Sequence, residues 1–104
     1  MSFAANTDLE RRIYPRIAVN GQVKYKLEEN ADYREGLMID ISQTGVQIRL
    51  DAALSVDTRL FLRMEADSEQ DTPIELTVDV VRIGDRDDAG LNCYGCMILD
   101  VREL

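Results

Sequence analysis

Histidine and tryptophan are absent from this chain, and cysteine occurs only twice among its 104 residues. Without histidine, the commonest general base at neutral pH and the usual hydrolase triads are both excluded. A tetrahedral zinc site is also unsupported, because two cysteines alone supply too few of its usual ligands. The acidic residues are scattered through predicted turns rather than clustered as metal ligands. Composition therefore predicts a protein that is not an enzyme and that carries no metal or other cofactor.

The two cysteines, Cys93 and Cys96, form a Cys-x-x-Cys pair, a pattern that can indicate redox chemistry or half of a zinc site. Residues 91–99 have the pattern of a β-strand, in which an offset of three places two side chains on opposite faces. The sulfurs would then point away from each other. We therefore predict two free thiols, as expected in a reducing compartment.

Long apolar runs are absent as well, since none approaches the roughly 18 residues that a membrane-spanning helix needs. Residues 1–8 also lack the basic segment and apolar stretch of a secretory signal peptide. A length of 104 residues fits one domain, and 45% hydrophobic residues can fill a core. We therefore predict a single soluble domain in the cytoplasm, without membrane association.

Negative charge dominates, with a net charge of −8, which argues against a general binder of DNA or RNA. Residues 11–26 nevertheless contain five cations and no acid, whereas the rest of the chain has 7 cations and 20 acids. An acidic protein with one basic segment suggests a local anion site, although a solvated basic face is an equal alternative from charge alone. The five cations are Arg11, Arg12, Arg16, Lys24 and Lys26.

Six segments have the composition and period-two alternation of β-strands, and turn residues separate them. The segments are residues 17–27, 33–41, 45–50, 59–65, 73–83 and 91–99. In the fourth, Leu60, Leu62 and Met64 are predicted to face the core. In the fifth, Ile74, Leu76, Val78 and Val80 are predicted inward, and Glu75, Thr77 and Asp79 outward. Helical turns are possible only at residues 51–57 and 100–104.

This pattern predicts an all-β fold, a six-stranded antiparallel β-barrel or a sandwich, preceded by a flexible N-terminal arm at residues 1–10. Closure of six strands into a barrel would leave no exposed sheet edge. The fold class alone predicts no function.

An arginine-rich motif precedes the first predicted strand. Arg12 and Arg16 form an R-x-x-x-R pattern, with Arg11 directly before it. Pro15 fixes its own φ and disfavours helix at the preceding residue, so the segment can present guanidinium groups from an irregular arm. Taken alone, such a pattern is also typical of a solubilising arm.

A second motif, D-x-S-x-x-G, lies between the second and third predicted strands. Asp40 and Ser42 are two residues apart, so in a strand that ends at Ser42 their side chains point the same way. Gly45 permits either a positive φ or a close approach of backbone. Taken alone, the motif is also compatible with an ordinary turn, because Asp, Ser and Gly are common turn residues.

Together the motifs are far more specific, because they occur in order with Arg16 and Asp40 24 positions apart. At this point the chain resembles the PilZ domain family, which combines an R-x-x-x-R arm with a D/N-x-S-x-x-G turn at the rim of a six-stranded β-barrel. The resemblance covers roughly residues 10–100, and we place the PilZ domain at residues 11–104. Residues 78–83 and 94–100 resemble the closing strand pair of the family, with Ile98 where phenylalanine is common.

The resemblance implies that the chain binds the bacterial second messenger cyclic di-GMP. Arg12 and Arg16 would then hold phosphate and guanine, for which the arginine fork is suited. Asp40 would accept from guanine N–H groups, Ser42 would donate its hydroxyl, and Gly45 would leave room for the ligand. Binding would order the arm and signal to a downstream protein.

Arg11 suggests a refinement of this interpretation. The family includes domains that bind one ligand and domains that bind a stacked pair. A pair carries four phosphate charges rather than two, so an additional cation favours it. We therefore expect two ligands per chain.

Three alternatives are less consistent with the sequence. A PilZ-like adaptor that acts through protein–protein contact without nucleotide typically lacks the motif arginines, which this chain keeps. A single-strand nucleic-acid barrel needs aromatic platforms over a basic groove, and this acidic chain has only six aromatic residues. A phosphodiesterase would need clustered metal ligands, which the sequence does not supply.

Overall fold

The protein is described by a computed structural model that covers residues 21–42, 44–65 and 73–104. These residues form six strands: β1 (Gly21–Lys26), β2 (Arg34–Ile41), β3 (Gly45–Leu50), β4 (Arg59–Met64), β5 (Ile74–Ile83) and β6 (Asn92–Glu103). They close into a barrel in the order β1-β2-β3-β6-β5-β4. All six neighbouring pairs, including the closing pair of β1 and β4, are antiparallel. The predicted fold class is therefore confirmed.

The predicted strands agree with the observed ones to within a few residues, with one larger difference at the C-terminal end. The helical turn considered possible at residues 100–104 is not formed, because β6 continues to Glu103. Asp100 pairs with Thr77 and Arg102 with Glu75, so the long strand β5 provides the template that extends β6. Residues 51–57 form bends and turns rather than helix. The predicted arm at residues 1–10, positions 17–20 of the first predicted strand and the loop at 66–72 lie outside the described residues.

The barrel interior contains the side chains that the period-two pattern assigned to it. Leu60 and Leu62 are fully buried, and Met64 is 4% exposed. The four predicted inward residues of β5 are also fully buried. Tyr25 closes one part of this core, where its hydroxyl donates a 2.6 Å hydrogen bond to Asp51. Alternation therefore predicts the buried hydrophobic residues of β4 and β5.

Glu75 differs from the simple pattern. It lies on the outer face, as predicted, between Arg63 of β4 and Arg102 of β6. However, it is only 1% exposed, because Tyr33, Arg102 and Lys26 cover it. The outward position was predicted correctly, and the burial of Glu75 comes from the side chains that cover it.

The two cysteines lie in different environments, as predicted. Cys96 belongs to the buried core, whereas Cys93 is half-buried, and both are free thiols. Burial raises the pKa of the Cys96 thiol to about 12, with a smaller contribution from the negative charge of Asp79. The reactive form of a thiol is the thiolate, so Cys96 is protected both by burial and by its protonation state.

We therefore expect iodoacetamide to alkylate Cys93 of the folded protein while Cys96 stays unmodified. Intact-mass spectrometry should show one adduct under native conditions and two in denaturant. Cys93→Ser is the matched variant, and it should give no native adduct. Equal rates of modification at both cysteines in the folded protein would contradict the buried position of Cys96.

Within the described residues, no helix has the length and apolar character needed to cross a membrane.

Candidate ligand-binding site

The motif residues Asp40, Ser42 and Gly45 lie where β2 ends and β3 begins. The Ser42 amide donates to the Gly45 carbonyl at 2.8 Å, and the Gly45 amide donates to the Ser42 hydroxyl oxygen at 3.2 Å. These reciprocal hydrogen bonds close the turn directly after β2. The turn therefore holds the Ser42 hydroxyl next to the end of the strand that carries Asp40.

Gly45 lies where two strands approach each other closely. A Cβ atom at this position would lie 3.0 Å from the carbonyl oxygen of Cys96, which belongs to the backbone of β6. Among the described residues, Gly90 is the only glycine with a positive φ, so Gly45 does not use that freedom. Of the two reasons for a glycine at this position, close approach is therefore the one that applies.

One shallow cavity of about 370 Å³ contains all three of these motif residues. Asp40 and Ser42 are exposed and line the same cavity, although β2 ends one residue before Ser42. Its lining comes from four strands and the β2–β3 turn. The lining residues are Asp40, Ser42, Gly45, Val46, Gln47, Val81, Arg82, Gly95 and Cys96.

The floor of this cavity is a row of outward positions across four neighbouring strands. Asp40 of β2 pairs with Gln47 of β3, and Gln47 pairs with Gly95 of β6. Gly95 in turn pairs with Arg82 of β5. The register thus places the predicted acid at one end of the row and an arginine at the other.

Bulges occur at both ends of this row. The register between β2 and β3 shifts between Met38 and Asp40, and the register between β5 and β6 shifts between Val80 and Arg82. An extra residue in a strand changes which face the following side chains occupy. Val80 is fully buried, so strict alternation would place Arg82 inside the barrel, but both Val81 and Arg82 are exposed. The bulge therefore brings Arg82 to the outer surface.

Arg82 lines the cavity but was not among the predicted site residues. The only local signal in the sequence is the position of Arg82 in the period-two pattern of β5, which would place its side chain inward. A charged residue at an inward position of a strand indicates either a buried ion pair or a bulge. The contact between Arg82 and Gly95 depends on the pairing of β5 with β6, so the sequence alone does not predict it.

The three predicted arginines, Arg11, Arg12 and Arg16, lie outside the described residues. Their predicted contacts with the ligand therefore stay predictions. Another cavity of about 370 Å³ opens beside β1 and β2, lined partly by Val23, Leu37 and Leu91. It contains none of the predicted site residues. In the part of the chain that the structure describes, no three acidic or cysteine side chains are grouped as a metal site.

Comparison with known families agrees with the motif and the fold. The chain matches the family model of the PilZ domain over residues 10–104. No curated protein and no solved structure matches it. PilZ domains are known as cyclic di-GMP-binding receptor domains rather than as a catalytic family. The structure has the closed six-stranded barrel and places the D-x-S-x-x-G turn on one cavity. Because the chain also matches the family model over nearly its whole length, it belongs to the PilZ domain family.

Proposed function

We propose that this protein is a receptor for cyclic di-GMP, and that binding orders its N-terminal arm so that a downstream protein recognises the new surface. The observation that carries the proposal is the single cavity shared by Asp40, Ser42 and Gly45. In this family, a turn with that motif contacts the ligand. Asp40 is free for this role, since it makes no ion pair or hydrogen bond with another described side chain.

The ligand chemistry matches these groups. Guanine presents N–H donors along one edge, and an exposed carboxylate such as Asp40 can accept two of them. Ser42 offers a hydroxyl that its turn already holds in place. The phosphates need cations, for which the family motif supplies Arg12 and Arg16 from the arm. Recognition would therefore combine a base-binding barrel surface with a phosphate-binding arm.

The barrel topology supports a site made of a base-binding barrel surface and a phosphate-binding arm. β1 begins at Gly21, which pairs with Met38, two residues before Asp40. The chain therefore enters the barrel beside the end of β2 that carries the motif. Arg16 is five residues before Gly21, and five extended residues span at most about 17 Å. An arm anchored at this point can reach the cavity.

The arm provides the signalling step in this proposal. Charge-assisted hydrogen bonds from Arg12 and Arg16 to a bound dianion would favour one conformation of the arm. A change of this kind converts ligand occupancy into a surface that a partner protein can recognise. No bond in the ligand is broken, so the protein acts as a receptor.

Calorimetric titration tests the proposal, with cyclic di-GMP as ligand and GTP as control. We expect saturable binding of cyclic di-GMP only, and two ligands per chain if Arg11 has the expected role. Asp40→Ala should weaken binding about 10- to 150-fold, the effect of losing hydrogen bonds to a charged group. Removing a negative charge would by itself favour an anionic ligand, so weaker binding with an unchanged melting temperature would indicate a lost contact.

Asp88→Ala is the matched control, because it removes an exposed acid from the turn before β6 and lines none of the described cavities. The affinity of Asp88→Ala for cyclic di-GMP should stay within about twofold of wild type. Absence of heat and of any melting-temperature change at high micromolar ligand would overturn the receptor proposal and favour the protein adaptor. Saturation at one ligand per chain would contradict the role of Arg11 alone.

A further inference from the structure

Arg82 is the exception among the cations of the described residues. Nine lysines and arginines lie in this part of the chain, and seven of them form ion pairs with carboxylates. The eighth, Arg86, donates a hydrogen bond to Asn92. Arg82 has neither an ion pair nor a hydrogen bond to any other described residue. The seven paired cations are Lys24, Lys26, Arg34, Arg49, Arg59, Arg63 and Arg102.

This lack of a partner is notable because acids outnumber cations by 20 to 12. Most cations on such a surface find a carboxylate within reach, as seven of the nine do here. Arg82 is exposed, and none of its five N–H donors is hydrogen-bonded to another described residue. An arginine of this kind in a cavity is suited to an anion from outside the protein.

The side chain of Arg82 also has a defined position. It lies across Gly95, where a Cβ atom would be 3.3 Å from both Nε and Nη2 of Arg82. The absence of a side chain at position 95 therefore lets the guanidinium lie against the backbone of β6. This contact brings the charge one strand closer to the motif turn than the Cα of Arg82 would suggest.

Arg82 and Gly95 line two adjoining cavities. The first, of about 370 Å³, contains the motif residues, and the second, of about 300 Å³, continues along β3 and β6 towards Gly84 and Cys93. Gly95 is two strand steps from Asp40, or about 10 Å at the usual spacing of strands. A guanylate unit has a comparable length from the edge of its base to its phosphate.

We propose that Arg82 is a further ligand-binding residue, which holds a phosphate of cyclic di-GMP from the barrel side while Asp40 binds a guanine. This inference rests on the proposed function, because it assigns a new residue to the same site. Arg82 would then contact the ligand from the barrel itself, in addition to any contact made by the arm arginines. The bulge at Val81 is the structural feature that brings Arg82 to the outer surface.

The test is calorimetric titration of wild type, Arg82→Ala, Arg82→Lys and Arg86→Ala with cyclic di-GMP at several salt concentrations. Arg82→Ala should weaken binding about 10- to 150-fold, as expected for a charge-assisted contact. Arg82→Lys should lose less, because it keeps the charge but not the fork. Arg86→Ala makes the same change in net charge outside both cavities, and its affinity should stay within about twofold.

Salt dependence distinguishes a phosphate contact from an indirect effect. Removing a phosphate-binding cation should make the affinity of Arg82→Ala less sensitive to salt than that of wild type. Asp40→Ala should keep the salt dependence of wild type. Because Arg82 has no described partner, its removal should change the melting temperature by no more than about 4 °C.

The outcomes separate this inference from the proposed function. Wild-type affinity in Arg82→Ala, together with weaker binding in Asp40→Ala, would overturn the role of Arg82 and leave the receptor proposal intact. Weaker binding with unchanged salt dependence would also overturn the phosphate assignment. Failure of the wild-type protein to bind cyclic di-GMP would overturn both.

Discussion

Replacement of Glu75 by alanine is expected to lower the free energy of unfolding by about 2–3 kcal/mol, although the residue lies on the outside of the barrel. Its carboxylate is covered and fully engaged. Tyr33 donates a 2.6 Å hydrogen bond to Oε2, and Arg102 donates from both Nε and Nη2 to Oε1. Lys26 completes the cluster, with its Nζ 4.0 Å from the carboxylate and 4.7 Å from the centre of the Tyr33 ring.

The size of the effect follows from the difference in exposure within this cluster. The Glu75 side chain is 1% exposed, whereas that of Arg102 is 54% exposed. After truncation, Arg102 can therefore regain water, which keeps the loss below the roughly 3–5 kcal/mol typical of breaking a fully buried pair. Tyr33 is part-buried, and losing its acceptor leaves its hydroxyl partly unsatisfied. The loop that carries Tyr33 would lose its hydrogen bond to β5.

Urea and thermal unfolding measure this prediction. The melting temperature of Glu75→Ala should fall by about 8–24 °C, using about 4–8 °C per kcal/mol for a domain of this size. Glu75→Gln keeps an acceptor for Tyr33 and should lose less. Glu35→Ala removes an exposed glutamate from β2 and is the matched control, with an expected change within about 0.5 kcal/mol. Equal stabilities of Glu75→Ala and Glu35→Ala would show that the cluster contributes nothing.

The stabilisation by Glu75 should also depend on pH. Burial raises the pKa of its carboxyl, but hydrogen bonds from Tyr33 and Arg102 and the charges of Arg102 and Lys26 outweigh this effect and hold the pKa below its ordinary value of 4.5. A carboxyl with a lowered pKa stabilises the fold above its unfolded pKa, and this stabilisation is lost as pH falls through the lower folded value. The difference between wild type and Glu75→Ala should therefore be constant near neutral pH and shrink below about pH 4.5.

Glu75 and Arg82 show which features of this fold were accessible from the sequence. Both lie on β5, whose alternation correctly predicted the buried hydrophobic residues of the strand. Glu75 was placed on the correct face, but its cover comes from Tyr33, 42 positions earlier. Contacts of that range have no local signal. For Arg82, the bulge reverses the phase of alternation, so a period-two pattern assigns the wrong face.

The sequence also predicted only part of the candidate site, because a local motif does not identify residues from distant strands. Asp40, Ser42 and Gly45 belong to one turn, so a short motif predicted residues that the structure brings to one cavity. The other side of that cavity comes from β5 and β6, which the barrel places there by closing β3 onto β6. Residues on those strands become neighbours of the motif only through register. A motif can therefore identify a turn of the site but not the surface opposite to it.

The largest expected effect on binding is that of the double variant Arg12→Ala/Arg16→Ala. If each arginine makes one charge-assisted hydrogen bond to the ligand, their joint loss is about 3–6 kcal/mol, or roughly two to four orders of magnitude in the dissociation constant. The expected effect exceeds that for Asp40→Ala because, in the proposed site, the arm arginines would neutralise the phosphates whereas Asp40 would bind the edge of a base. Calorimetry and the ligand-induced rise in melting temperature both measure it.

A control with the same net charge separates contact from general electrostatics. Lys24→Ala/Arg59→Ala also removes two cations, one paired with Glu65 and one with Asp79, and neither lines the motif cavity. This control should bind within a few-fold of wild type, since exposed charges beyond a Debye length of about 10 Å are largely screened. Similar losses in the two double variants would mean that the acidic barrel needs only its total positive charge to bind the dianion. A loss confined to the arm variant, together with unchanged unfolding of the ligand-free protein, would assign binding to the arm and stability to the barrel. The arm would then be free to change conformation with the ligand without weakening the fold to which it is attached.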